Sequence, residues 1–365
     1  MICISYLQTF SEISGNRKKS RRSPKRSVRK GGKPMPTLKD VARLACVDVS
    51  TVSRALNNNP CVHAETKARI MAAVEKLSYR PNLLAKGLRQ GKRHTIGVVV
   101  PRLHLTVFST VAQAIEEAAR DQGYATLLCS TEDDPQMEKD GLSRLRNGLV
   151  DGILLAGTGK NKKLVRDIQA SGIPVTQVIR IQDDTLSSVI VDYVKCGYEA
   201  VKYLYAKGSR HPGLITGSLK LSPYKFRYQG YKEALEELGL KEITSEAKGF
   251  TNSLEYGYQA TRQMLQEHPE LDAILAAMDA QGIGAMRALK EAGKKVPRNV
   301  RIISLTGHEI GSMLETTMTT LEMPAREIGR KAAQLVLEQI EAKDRSAVAI
   351  QHVVYDSVLI EREST

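Results

Sequence analysis

From residue 94 onward, short apolar runs alternate with amphipathic segments, and this alternation constrains the fold more than any other feature of the chain. Residues 95–100 read as a strand followed by a helix over 108–122. Residues 125–129 read as a second strand, followed by a helix over 136–148. Further strands are expected at 152–156, 174–179 and 188–191. The pattern then repeats with a strand at 211–215, a helix at 225–238, strands at 271–277 and 301–305, and a final strand at 353–360 assigned to the second half. Strand–helix alternation builds parallel, doubly wound sheets, whose ligands sit beyond the carboxyl ends of the strands. The 272 residues from 94 to 365 are too many for one such sheet, so two similar halves are expected.

The front of the chain differs in charge. Residues 1–35 hold ten Lys and Arg against one acid, Glu12, and residues 36–93 hold eleven against four. The remaining residues hold 33 against 35, so a nearly neutral body follows a strongly basic front that supplies the whole net charge of +14. A basic terminal block points to a polyanionic partner, nucleic acid or an anionic membrane surface. Residues 1–35 are low in complexity and cannot form a core. They read either as a disordered DNA-binding arm or as sequence upstream of a true start at Met35. No run of about 18 apolar residues is present, so a membrane-spanning helix is not expected. The five cysteines (Cys3, Cys46, Cys61, Cys129, Cys196) form no CxxC pair, which argues against a disulfide framework or a structural zinc site and for the reducing cytoplasm.

From Thr37 the pattern becomes helical. Thr37 and Asp40 have capping-box spacing, and Leu38, Val41, Ala42 and Ala45 repeat on one helical face. A break at 46–48 leads to a second helix over 49–56, with Asp48 as its expected N-cap. A third helix over 64–77 turns Ile70, Val74 and Leu77 inward. Two short helices joined by a tight turn and supported by a third form a helix-turn-helix. Any small three-helix bundle has a similar pattern, so the spacing alone leaves both readings open. A short helical segment around 82–89 and a basic link at 90–93 follow; so short a helix needs a surface to fold on.

The segments TLKDVA at 37–42, TVSRALN at 51–57, YRPN at 79–82 and AKGL at 85–88 resemble the lactose-repressor (LacI/GalR) family, and the resemblance runs through residues 36–363. It implies a DNA-binding transcription regulator of α/β class. A three-helix helix-turn-helix domain (36–80) and a hinge helix and linker (81–93) would precede a two-lobed, periplasmic-binding-protein-like body (94–348) with lobe crossings near 192 and 322. A final strand and tail (349–365) would close the chain. By this resemblance Val49, Ser50 and Arg54 read bases, with Arg54 suited to a bidentate guanine contact. Thr37, Thr51, Ser53, Asn57 and Thr66 match positions that touch phosphate or sugar. In the hinge, Asn82, Ala85, Lys86 and Leu88 match minor-groove positions, with Leu88 as the wedge that kinks the central base step. The competing reading of Leu88 is an ordinary core leucine. Asp48 stands where a Ser is usual and brings a carboxylate near DNA phosphates, and His63 stands where a Ser or Thr cap is usual.

The resemblance also implies an effector between the lobes. Arg227, three before Gly230, matches the family's effector-binding arginine, and Phe108 a ligand-stacking position. Their competing readings are a solvated helix arginine and a core phenylalanine. Met278 and Asp279 stand where relatives carry Asn-Asp, Thr306 where they carry an acid, and Ile179 replaces a frequent Asp. A neutral sugar needs a partner for each buried hydroxyl. Exchanging an amide and two acids for Met278, Thr306 and Ile179 while keeping Arg227, with Arg102 adding charge after the first strand, favours an anionic effector such as a phosphorylated sugar. The alternative is a pocket that has lost its small-molecule effector. No heptad tail follows Arg362, so a homodimer is expected, bound to a double-stranded, pseudo-palindromic operator and without membrane contact. Two other classes compete, a transport solute-binding protein and an α/β enzyme. The GTGK segment at 157–160 superficially resembles a phosphate loop, but Leu154 and Asn161 depart from that motif. No catalytic motif, metal site or cofactor is expected.

Overall fold

The computed structural model describes residues 36–56, 59–80, 92–247, 253–342, 344 and 348–365. It divides into an amino-terminal unit and a larger body.

In the amino-terminal unit, α1 (Leu38–Ala45) ends on Cys46, whose left-handed φ of 52° turns the chain sharply. The carboxylate of Asp40 accepts hydrogen bonds from the backbone amide (2.9 Å) and hydroxyl (2.7 Å) of Thr37. Helix α2 (Val49–Leu56) follows, its first free amides at Thr51 and Val52 donating to the Asp48 carbonyl. Helix α3 (Ala64–Lys76) begins after His63, which makes no side-chain cap bond. Val41, Ala45, Val52, Ala55 and Ile70 form the shared core. Tyr79 is buried in it as well, so the first residue of the YRPN segment closes this unit.

The body has two lobes. In the first, six parallel strands lie in the order β11-β5-β4-β3-β1-β2. These are β1 (Thr95–Val100), β2 (Ala125–Ser130), β3 (Gly152–Leu155), β4 (Val175–Val178), β5 (Ser188–Val191) and β11 (His352–Tyr355). Helices α4 (Thr106–Asp121) and α11 (Ala325–Glu341) cover one face, and α5 (Pro135–Arg146) and α6 (Lys162–Ala170) the other. The second lobe repeats the plan in the order β12-β10-β9-β8-β6-β7, with β12 antiparallel. Its strands are β6 (Pro212–Thr216), β7 (Ile243–Glu246), β8 (Ala273–Ala276), β9 (Arg301–Ser304), β10 (Thr319–Glu322) and β12 (Val358–Ile360). Helices α7 (Tyr193–Ala206) and α8 (Ser222–Leu238) cover one face, α9 (Ser253–Glu267) and α10 (Asp279–Glu291) the other.

The chain passes between lobes at Asp192, after Glu322, and again at Asp356–Ser357. The third passage corrects the expectation of one final strand in the second half. Residues 353–360 divide into the closing part of β11, the edge of the first sheet, and the whole of β12, the edge of the second. Each lobe therefore takes an edge strand from the same tail.

The loop after β4 is held by Asp183, whose side chain is almost wholly buried. Its carboxylate accepts from Arg166 Nε (2.5 Å) and from the hydroxyl (2.7 Å) and amide (3.1 Å) of Thr185. The Arg166 hydrogen bond outweighs the cost of burial and holds the Asp183 carboxyl down to about 2. Because the folded value lies below the unfolded one, the stabilisation is complete above the unfolded value of about 4 and fades as pH falls towards the folded one. Asp183→Asn is expected to cost about 1–2 kcal/mol at neutral pH, the low end reflecting the exposed Arg166. In urea unfolding the gap from wild type should shrink as the pH is lowered below about 4.

Candidate functional site

A cavity between the lobes lies where the strand order places a ligand, beyond the carboxyl ends of the strands. From the first lobe come Phe108 on α4 and Ile179 and Arg180 after β4, and Tyr193 stands just past the crossing, at the start of α7. From the second come Tyr224 and Arg227 on α8, Met278 after β8, Thr306 after β9 and Met323 after β10.

Arg227 is 2% exposed, so it is not a solvated helix residue. Its guanidinium donates to the carbonyls of Leu305 (2.5 Å) and Ala277 (3.4 Å) and lies 4.9 Å from the Tyr193 ring centroid. Its Nε–H has no partner among the described residues. Phe108 is also buried, facing Arg180 at 5.4 Å. Arg180, which the sequence reading passed over, is 4% exposed and paired with buried Asp133 (2.5 Å). Its available signal was a charged residue directly after an apolar strand.

Ile179 takes a left-handed φ of 65°, rare for a β-branched residue. The Arg180 amide donates to the Val178 carbonyl (2.6 Å), closing a strained γ-turn. The buried Tyr193 hydroxyl donates to the Ile179 carbonyl (2.7 Å), helping to fix the turn. Burial raises the hydroxyl pKa of both Tyr193 and Tyr224, keeping them neutral donors.

The expected effector residues divide. Phe108, Arg227, Met278 and Thr306 meet at the cavity. Asp279 does not line it: its carboxylate accepts from Ser304 (2.9 Å) and Thr306 (2.6 Å). Arg102 pairs with Glu132 (3.3 Å) and is not part of the lining either. Among the described residues the lining thus carries two arginines and no carboxylate, although Arg180 is paired with Asp133 behind it. The free volume is about 20 Å³, room for about one water molecule. The Tyr224 hydroxyl donates to the Met278 sulfur (3.0 Å) across this space.

In the amino-terminal unit, α2 buries Val52 and Ala55 and leaves Val49, Ser50 and Arg54 exposed on another face. Thr37 is exposed, while Thr51, Ser53 and Thr66 are half-buried. Asn57, Asn82, Ala85, Lys86 and Leu88, with the whole hinge segment, lie outside the described residues.

A helix-turn-helix with an exposed polar second helix, joined to a two-lobed ligand-binding body, defines a DNA-binding regulator. The family model for bacterial regulatory proteins of the lacI family matches residues 37–82. The model for periplasmic binding proteins and the sugar binding domain of the LacI family matches residues 93–357. The chain belongs to the LacI family of transcription regulators and is not an enzyme. It is 30% identical to the ribose operon repressor of Escherichia coli over 334 residues, 90% of this chain and 100% of the relative. It is 29% identical to catabolite control protein A of Priestia megaterium over 321 residues, 87% of this chain and 96% of the relative. A crystal structure of the Lac repressor bound to ONPG in the repressed state superposes with a TM-score of 0.80 at 25% identity, covering 91% of this chain and 100% of that one. The complex of the transcriptional regulator CelR with cellobiose gives 0.67 at 25% identity, covering 90% and 100%.

Proposed function

We propose that this protein is a homodimeric repressor of the bacterial cytoplasm and nucleoid, bound to a pseudo-palindromic operator and controlled by an anionic small molecule, a phosphorylated sugar. The observation that carries the DNA-binding part is α2, which presents Val49, Ser50 and Arg54 outward while Val52 and Ala55 anchor it. Two such helices in successive major grooves match a two-fold operator, and paired hinge segments between them would enter the minor groove. Relatives named as repressors support the direction of control.

The effector reading rests on Arg227 in the lining of the interlobe cavity, which, unlike the Asp133-paired Arg180, has no carboxylate partner among the described residues and so favours negative charge. Entry of a sugar-sized ligand requires Tyr224 and Met278 to part and the lobes to move. A ligand that binds one lobe arrangement more tightly shifts the population towards it, and with it the hinge's ability to order on DNA. Isothermal titration against paired phosphorylated and unphosphorylated sugars tests this. One phosphorylated member should bind, and Arg227→Ala should weaken it about tenfold or more. Absence of binding to wild type, or equal binding to the variant, overturns the reading.

A further inference from the structure

A second recess, of about 480 Å³, opens between the lobes beside the central cavity and shares only Arg180 with it. One wall is the GTGK loop of 157–160, which runs from β3 into α6; the facing wall is the first turn of α8. Lys160 and Lys162 come from the first lobe, Lys220 and Lys225 from the second. All four are exposed, and none has an ion-pair partner among the described residues. Among the described residues Asp184 is the sole carboxylate in this lining.

We propose that this recess is an anion site separate from the central cavity, built for the phosphoryl group of a phosphorylated small molecule. Beyond the lysines, two helices of 9 and 17 residues begin at its walls, α6 at Lys162 and α8 at Ser222. Neither has a side-chain cap bond or an acidic residue in its first turn. Their leading amides, apart from the position of Pro223, which has none, and their positive dipole ends therefore remain available to an anion. Buried polar atoms supply an independent sign. The side-chain nitrogen of Gln182 and the Nε of 4%-exposed Arg180, whose other guanidinium nitrogens face Asp133, have no partners among the described residues, and both residues line the recess. Such groups are costly to leave unsatisfied, and a phosphoryl oxygen accepts from both the amide and the guanidinium.

The loop is shaped for this. A Cβ at Gly157 would come within 2.6 Å of the Gln182 amide nitrogen, so glycine leaves that side chain its place. The buried acids that adjoin the lining are already occupied: Glu138 by the Thr158 amide and hydroxyl and by Asn161, Asp133 by Arg180, and Asp183 by Arg166 and Thr185. Leu221, Ile181 and Phe226 give the recess an apolar side, suited to the carbon skeleton of an organic phosphate. Because the lysines come from both lobes, a bound anion screens their repulsion across the recess.

Titration calorimetry of the full chain with inorganic pyrophosphate as the probe tests the site. Wild type should bind saturably, and Lys160→Gln/Lys220→Gln should bind at least about tenfold more weakly with an unchanged melting temperature in the absence of probe. Arg227→Lys, which alters the central cavity alone, should bind within about twofold of wild type. Pyrophosphate bound equally by wild type and the double lysine variant, as it would be on the basic front of the chain, overturns the proposal. So does absence of saturable binding, or loss of binding in Arg227→Lys alone. Failure of the central-cavity reading would instead appear as sugar-phosphate binding that ignores Arg227.

Discussion

Arg54→Ala should abolish sequence discrimination while leaving the amino-terminal unit folded. Arg54 is exposed and contributes nothing to the core formed by Val41, Val52, Ala55 and Ile70. On the proposed base-reading role, its removal loses a bidentate contact to guanine, about 1–3 kcal/mol, and so about tenfold to a hundredfold in operator affinity. Binding to unrelated DNA, which depends on phosphates, should change little. Thr51→Ala is the contrasting case, because a phosphate contact weakens all sequences by a similar factor. Gel shifts with operator and scrambled duplexes at two salt concentrations separate the two. An Arg54→Ala protein that loses both duplexes in proportion would remove Arg54 from the base-reading set.

A larger loss of stability is expected from Gly230→Val. Helices α7 and α8 pack through reciprocal glycines: a Cβ at Gly230 would lie 1.8 Å from the Val194 carbonyl oxygen, and one at Gly197 would lie 2.1 Å from the Arg227 carbonyl oxygen. Both obstacles are backbone, which cannot step aside as a side-chain end can. The second face of the lobe repeats the device, since a Cβ at Gly257 would lie 2.2 Å from the Gln281 oxygen and one at Gly284 2.1 Å from the Leu254 oxygen. Forcing α7 and α8 apart should cost about 3 kcal/mol or more. It should also displace Arg227, which sits one turn before Gly230 and whose own carbonyl packs on Gly197. Gly141→Ala in α5 is the control. The nearest atom to a Cβ there is Cys129 Cβ at 3.8 Å, so relief of glycine's backbone entropy should leave stability unchanged or raise it by about 0.5–1 kcal/mol. Chemical denaturation of both variants decides; a Gly230→Val protein as stable as wild type would mean that the helix pair tolerates separation.

These glycines also explain the spacing of the Arg227 motif. The Arg and the Gly three positions later share one helix turn because the Gly lets α8 approach α7 closely, and that approach brings Arg227 to Tyr193 and to the Leu305 carbonyl. The spacing was readable in the chain, but its physical cause was not.

Much of the architecture followed from local periodicity. Val41, Ala42 and Ala45 are buried and Leu38 half-buried, as their helical spacing requires, and the apolar runs of the body became strands, interior ones except for 125–129 and 353–360 at the sheet edges. Helices α4, α5 and α8 begin at Thr106, Pro135 and Ser222, before the periodic residues that announced them, because a first turn is set by backbone hydrogen bonds, and in α5 by the Asp134 cap, and not by an apolar period. Strand β10 escaped notice for a related reason. Thr319 and Thr320 are fully buried, yet they read as polar; their hydroxyls are satisfied by the Arg362 and Ser304 carbonyls.

What the amino-acid sequence determined by itself was the alternation, the helix-turn-helix and the division between a basic front and a neutral body. Side-chain period, turn residues and charge are local, and each segment carries them before it has a neighbour. What only tertiary structure decided was which groups meet and how much space they leave. It gave the two halves of the tail to different sheets, turned Asp279 towards Ser304 and Thr306, paired Arg102 with Glu132, and set Arg180 beside Phe108. It also brought Lys160 and Lys162 of one lobe into one recess with Lys220 and Lys225 of the other. Those outcomes depend on packing between distant segments, where hydrogen-bond satisfaction and excluded volume, not sequence period, select the arrangement.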